Sequence, residues 1–258
     1  MRKGIIDSVL DGYLSISLAE IDKACLMNSV DTKYTVSLSI LPDFLNRLKT
    51  DYLVQDINGS RLNAYRTLYL DTVDRAMYIA HHNGHRTREK IRVRAYFDTQ
   101  TIYLEVKNKN NRGLTKKKRF ELPEIKAYKK QEATAFLERY AKYPPAMLLP
   151  RLESRFNRIT LVNREKTERL TIDLNLMFCN PSDGNEKLID DLVIVEIKQQ
   201  AFRPSLVKDV LSRLHIRPIA ISKYCLGTIL TVPNVKSNLL KEKIIQINKI
   251  RKKQYGFV

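Results

Sequence analysis

Lys90-Ile91-Arg92-Val93-Arg94-Ala95-Tyr96-Phe97 alternates a polar side chain with an apolar one at every step. Period two belongs to a β-strand, whose successive side chains leave opposite faces, so this stretch predicts a strand with one cationic and one aliphatic face. Ile102-Tyr-Leu104-Glu-Val106-Lys107 follows the same rule, with Tyr103, Glu105, Lys107 and Lys109 on the polar side. Lys117, Arg119 and Glu121 then oppose Lys118, Phe120 and Leu122. Further on, Arg169 to Leu176 alternates polar with aliphatic through eight positions, and Val193, Val195 and Ile197 alternate with Ile194, Glu196 and Lys198. A solvated antiparallel sheet explains any one of these segments. Together they crowd Lys, Arg and Glu on the polar faces, and like charges on adjacent strands repel unless an anionic ligand sits among them. A curved or closed sheet with that face inward gathers the charges into one cavity and leaves the aliphatic faces to be covered by helices outside.

The charge inventory agrees. The 258 residues hold 46 Lys plus Arg against 28 Asp plus Glu, a formal charge of +18. Residues 86–119 contain twelve basic and three acidic side chains, and 236–258 contain seven and one, so the excess is local. A local excess calls for a partner of concentrated negative charge: nucleic acid, an anionic membrane surface or a phosphate chain. At 43% hydrophobic the chain can bury a core, and charged residues break every apolar stretch before the roughly 18 residues that span a bilayer. Asp7, Asp11 and Glu20 interrupt the N-terminal stretch, unlike a secretory signal. Cys25, Cys179 and Cys225 are too few and too scattered for a disulfide framework, which fits a reducing cytoplasm.

Helical spacing of Leu41, Phe44, Leu45 and Leu48 predicts a helix over 41–49; Ala133, Phe136, Leu137 and Tyr140 predict one over 129–143; a third runs over 205–214, capped by Ser205. Pro144-Pro145 and 180–184 read as breaks between elements, so residues 1–235 form one domain followed by a basic helix or tail, 236–258. In that tail Leu240, Ile244, Ile247 and Arg251 share one side, which suits packing on the domain wall, a membrane surface or a protein partner. His81, His82 and His85 stand beside Asn83-Gly84 in an expected loop, as surface residues without a matching carboxylate.

Eight short motifs occur in one order from about residue 15 to residue 230: Asp31-Thr-Lys33-Tyr34, Thr67-Leu-Tyr69-Leu-Asp71-Thr72, Lys90-Ile-Arg92-Val-Arg94, Leu104-Glu-Val-Lys107, Lys117-Lys-Arg119, Arg169-Leu-Thr-Ile-Asp173, Val195-Glu196-Ile-Lys198 and Ser222-Lys-Tyr-Cys-Leu-Gly227. In this the chain resembles the VTC domain family of the triphosphate tunnel metalloenzymes. The resemblance implies an α+β fold, an eight-stranded antiparallel β tunnel with helices packed outside. It implies ATP, polyphosphate or triphosphate held with a divalent Mn²⁺ or Mg²⁺. By position it implies catalytic roles for Arg92, Arg94, Lys107, Lys198 and Glu196, with Glu196 as metal ligand. Phosphate-binding or tunnel-lining roles fall to Lys33, Lys90, Lys117, Lys118, Arg119, Arg158, Arg169, Ser222, Lys223 and Tyr69. The chain departs from the family where Asp31-x-Lys33 replaces an ExExK strand, where Asn28-Ser29 stands in place of an Arg, and where Phe156-x-Arg158 replaces Tyr-x-Arg.

Such residues suit phosphoryl transfer, which needs charge on the non-bridging oxygens countered and the reacting oxygens aligned more than it needs covalent help. Arg binds phosphate as a fork and Lys as a point charge. No GxxxxGK[ST] loop is present. The expected function is ATP-driven polyphosphate synthesis; a triphosphatase or polyphosphatase and a non-catalytic polyphosphate binder are the alternatives. RNA binding is the weakest reading, because basic residues inside a cavity cannot track a duplex and few exposed aromatics accompany them.

Overall fold

The computed structural model describes residues 2–23, 30–199 and 203–252. Cys25, Asn28-Ser29 and the end of the tail from Lys253 onward lie outside these. The strands are β1 (Ser15–Ser17), β2 (Val30–Ser37), β3 (Tyr52–Asp56), β4 (Asn63–Asp71), β5 (Arg88–Tyr96), β6 (Thr101–Lys109), β7 (Thr115–Leu122), β8 (Leu149–Asn163), β9 (Glu168–Cys179), β10 (Glu186–Ile189) and β11 (Leu192–Gln199). The helices are α1 (Arg2–Asp11), α2 (Leu18–Lys23), α3 (Leu41–Leu48), α4 (Ala76–His82), α5 (Gln131–Tyr140), α6 (Leu206–Arg213), α7 (Lys223–Thr231) and α8 (Lys241–Lys252).

Eight strands form the main path, β2-β11-β9-β8-β4-β5-β6-β7, antiparallel at each step, while β1, β3 and β10 extend the sheet to eleven strands. All five alternating segments are strands. The fold is α+β, and the sheet is open: β2 and β7, the two ends of the path, are not paired, which corrects the closed form of the expectation. The free edge of β2 instead meets residues 217–219, where the Ile219 N–H donates to the Lys33 carbonyl at 2.9 Å. That bond occupies one of the carbonyls of β2 that a closing strand would need. The sheet still curls, bringing Lys107 of β6 and Lys90 of β5 within electrostatic reach of Asp31 and Lys33 on β2.

Helices cover the outer face as the aliphatic halves of the strands require. Leu170, Ile172, Val193, Val195 and Ile197 pack beneath α1, α3 and α6, with Leu41, Phe44, Leu45 and Leu48 all fully buried. Ile91, Val93, Leu104, Val106 and Leu122 pack under α5 through Ala133 and Leu137. Each large side chain so buried contributes roughly 1.5–3 kcal/mol. Ser205 caps α6, its Oγ accepting from the Lys208 N–H at 3.2 Å.

The inner face is polar over only part of its length. Alternation along 169–176 places Leu174 and Leu176 on one side, but the structure turns Leu174 outward and Leu176 and Phe178 inward. The cause is a bulge in β9: the pairing with β8 slips between Arg155–Met177 and Asn157–Leu174, and Asn175 adopts φ 53°. Asn tolerates that left-handed conformation better than most side chains. Leu176 and Phe178, with Leu192 and Ile194, thereby line an apolar section of the trough that α7, the turn leading into α8 and α8 itself fill through Tyr224, Leu226, Leu240 and Ile247. Helix α8 packs on the body, and Arg251 Nε pairs with Asp191 at 2.7 Å. No described helix is long and apolar enough to cross a membrane.

Gly227 lets α7 lie this close. A Cβ there would fall 2.4 Å from Phe178 Cδ1 and 2.7 Å from Leu152 Cδ2. Gly227→Ala is therefore expected to lower the unfolding free energy by about 1–3 kcal/mol through overpacking, measured by urea titration. An unchanged midpoint would show that the two side chains can move aside.

Candidate active site

The inner faces of β4 to β7 meet in cross-strand rows. Tyr69, Arg92, Glu105 and Arg119 form one; Lys90, Lys107 and Lys117 form the next. Glu105, 1% exposed, sits in the middle: Arg92 Nε donates to its Oε2 at 2.6 Å, and Lys117 forms a second ion pair. Burial opposes the Glu105 charge, but Arg92, Arg94 and Lys117 more than offset it and hold the carboxyl well below the usual carboxylate range. Arg119 lies over the Tyr103 ring at 4.9 Å. Arg94 donates to Thr67 Oγ1 at 3.1 Å.

A second node joins β8, β9 and α7. Arg158 donates to both oxygens of Asp173, at 2.5 and 2.8 Å, and Lys223 at the start of α7 pairs with Asp173 Oδ2. Asp173 is 1% exposed; burial works against its charge, yet Arg158 and Lys223 keep the carboxyl far below its ordinary value. Phe156 stacks on Tyr65 with centroids 5.3 Å apart, and Arg158 and Lys223 lie over its face at 5.4 and 4.5 Å. An aromatic ring without a hydroxyl therefore suits this position, since its face takes up part of the cationic field.

The third node is on β2 and β11. Lys33 and Glu196 are directly opposite and form an ion pair. Because the Lys33 carbonyl is turned to Ile219, this is the closely spaced kind of cross-strand pair, whose side chains approach best. Burial again opposes ionisation, but Lys33, then Arg158 and Lys223, bring Glu196 down to about 2. Asp31 lies partly open to solvent at the rim, where partial desolvation and the nearby charge of Glu196 raise its carboxyl. Lys198 stands opposite both Asp31 and Arg169.

Cations outnumber their partners. Among the described residues Lys90, Arg94, Lys107, Arg169 and Lys198 have no carboxylate within 4.0 Å. Tyr69 registers the field: burial pushes its phenol up, but Arg92, Lys90, Arg94 and Lys223 together bring it below its ordinary value. Lys107 registers it more strongly, drawn down to about 6 by Arg92 first and burial second.

Two expected site residues fall elsewhere. Lys118 lies on the outer face, over the Tyr140 ring at 5.5 Å. Ser222 spends its hydroxyl as the cap of α7, accepting from the Cys225 N–H at 3.0 Å. His81 and His82 are not in a loop but end α4, and His82 is buried, its Nε2 accepting from the Leu239 N–H at 3.2 Å. Glu105 and Asp173, which hold two of the nodes, were not among the expected site residues. The signal was present: each is an acid at an inward position of a strand whose neighbours are cationic.

Mn²⁺ and Mg²⁺ prefer oxygen donors, which Glu196 and its neighbour Asp31 supply. Among the described residues no three His, Cys, Asp or Glu side chains are placed to hold a metal, so an ion held by these two carboxylates would take its other ligands from phosphate and water.

The VTC domain matches residues 28–232, most of the chain. The chain belongs to the VTC domain family. Membership supports a phosphoryl-transfer or triphosphate-related function and implies divalent-metal dependence. No curated protein matches the sequence. Among solved structures, a candidate adenylate cyclase from Bacillus halodurans has TM-score 0.51 at 14% identity, covering 76% of this VTC chain and 96% of its own; it shares the fold. A second, from Vibrio parahaemolyticus, has TM-score 0.44 at 15% identity, covering 76% and 95%. A candidate adenylyl cyclase from Hippeastrum, described as having a dominant triphosphatase activity, has TM-score 0.47 at 12% identity, covering 80% and 98%.

An anion that fills this trough should return Lys107 to its charged form. Tripolyphosphate binding at pH 7 is expected to take up as much as about one proton, because the bound Lys107 titrates above pH 7 and the free one below it. Lys107→Met should remove that uptake, read by calorimetry in buffers of different ionisation enthalpy. Equal uptake by both proteins would show that Lys107 is already charged when the trough is empty.

Proposed function

We propose that this protein is a metal-dependent phosphotransferase that moves the γ-phosphoryl group of ATP onto a growing phosphate chain, releasing ADP. The observation that carries the reading is the set of inward cations left without carboxylate partners: Lys90, Arg94, Lys107, Arg169 and Lys198. Their mutual repulsion is relieved by a ligand with closely spaced negative charges, and a phosphate chain has that spacing. Arg92 and Arg94 are buried and fixed by Glu105 and Thr67, so they can receive developing charge on the transferring group without reorganising. Lys33, Lys117, Arg119, Arg158 and Lys223, already paired with acids or placed on aromatic faces, would cradle the rest of the chain. Glu196, with Asp31, would hold Mn²⁺ or Mg²⁺, which when bound neutralises phosphate charge and polarises the transferring group.

The test is incubation of the purified protein with ATP and Mn²⁺ or Mg²⁺, resolving polymer from free phosphate. Polymer supports synthesis. Free phosphate alone would make the protein a hydrolase, and tight chain binding with no product would make it a binder. Arg94→Ala is expected to lower turnover by about 100-fold or more. Glu196→Gln should abolish it with the circular dichroism spectrum unchanged, and turnover persisting in that variant would overturn the metal role.

A further inference from the structure

Beside the trough, a cleft of about 400 Å³ lies between the end of α4, the start of β5, the start of α7 and the turn that enters α8. Arg88, Lys243 and His81 line it, Ile221, Cys225 and Leu240 form part of its apolar wall, and none of its lining residues is a carboxylate. Among the described residues Arg88, Lys109 and Lys243 have no carboxylate within 4.0 Å. Lys243 gives one donor to the Ala220 carbonyl at 2.9 Å and keeps two.

The cleft continues the cationic rows of the trough. Arg88 stands two residues from Lys90 and so on the same face of β5, and the residue opposite it is Lys109, two beyond Lys107 on β6. The row of Lys90 and Lys107 is thus followed by a second row without an acid. Lys90 stands between the two regions, within electrostatic reach of Lys33, Tyr69 and Arg92 in the trough and of Cys225 in the cleft wall. His81 lies close to all the cations: burial first, then Lys90, Arg88, Lys243 and Lys109, bring its imidazole down to about 3. The histidine is therefore neutral at pH 7, and the lysines and the arginine carry the charge.

A phosphate chain that grows in the trough needs a way out of it. Along β9 and β11 the space is taken, because Tyr224, Leu226, Leu240 and Ile247 pack over Leu176, Phe178 and Ile194. Past Lys90 the groups are cationic and unpaired, and each phosphate placed among them relieves their repulsion.

We propose that this cleft is the exit site of the growing phosphate chain, in which the units beyond those held in the trough pass Lys90 and lie against Arg88, Lys109 and Lys243. The proposal rests on the phosphotransferase reading, since only a lengthening chain needs the extra room. It adds a site built partly on α4 and α8, outside the sheet, that a triphosphate seated in the trough does not reach.

Calorimetric titration with tripolyphosphate and with long-chain polyphosphate tests it. The double variant Arg88→Gln, Lys243→Gln is expected to bind the long chain about tenfold more weakly and tripolyphosphate within about twofold of the unmodified protein. The tripolyphosphate arm also shows that the variant is folded. Unchanged affinity for the long chain would overturn the proposal. So would equal weakening of both ligands, which would make these cations part of the triphosphate site. If the double variant does not fold, Lys243→Gln alone is read in the same way, with a loss of about threefold expected for the long chain only. Failure of the unmodified protein to bind either chain would instead overturn the phosphate-chain reading of the trough itself.

Discussion

Asp173 joins three elements that would otherwise repel one another. Arg158 of β8 and Lys223 of α7 both need a counter-charge to be brought together out of water, and this single buried carboxylate on β9 supplies it. Remove it, and two cations remain in a site too dry to solvate them, a loss of about 3–5 kcal/mol. Helix α7 enters the trough with Lys223 as its first residue, so the seating of the helix and the charge of the cavity are fixed by the same contact. Glu105 does the equivalent for Arg92 and Lys117 on the other wall.

Those two acids do not neutralise the trough; they order its cations. Fixing a guanidinium by its Nε edge, as Glu105 and Thr67 do for Arg92 and Arg94, leaves its other donors available. The remaining positive charge works against folding, and the low position of Lys107 is its direct expression. A region kept in electrostatic tension when empty and relaxed when filled binds its anion more strongly than an already balanced one would. The outer aliphatic face, buried under α3 and α5, supplies the stability that this arrangement spends.

Much of this was legible in the sequence because strands expose their pattern one residue at a time. The side assignments of Arg92, Arg94, Glu105, Lys107, Lys117, Arg119, Glu196 and Lys198 follow from alternation alone. Three helices were equally plain from the spacing of their buried residues. What could not be read was whatever depended on a break in the pattern or on a partner distant in sequence. The bulge at Asn175 reverses the faces of Leu176 and Phe178, though polar and aliphatic residues alternate without a break as far as Leu176. Lys118 stands beside Lys117 in the family motif, but it shares the face of Phe120 and lies opposite Val106, so it turns outward. Ser222 resembled a phosphate ligand in its motif, but the helix it begins uses its hydroxyl first.

The bulge in β9 also acts as a ruler. On one side of Asn175 the inward positions are Asp173, Thr171 and Arg169; on the other they are Leu176 and Phe178, and α7 fills the space. The hydrophilic length of the trough is thus set by where one residue takes a left-handed turn. Because strand faces repeat every two residues, that length can change only in steps of about 6.6–6.8 Å. Relatives that moved this bulge along the strand would differ in how many charged units their troughs hold, with the same fold and the same chemistry at the rim.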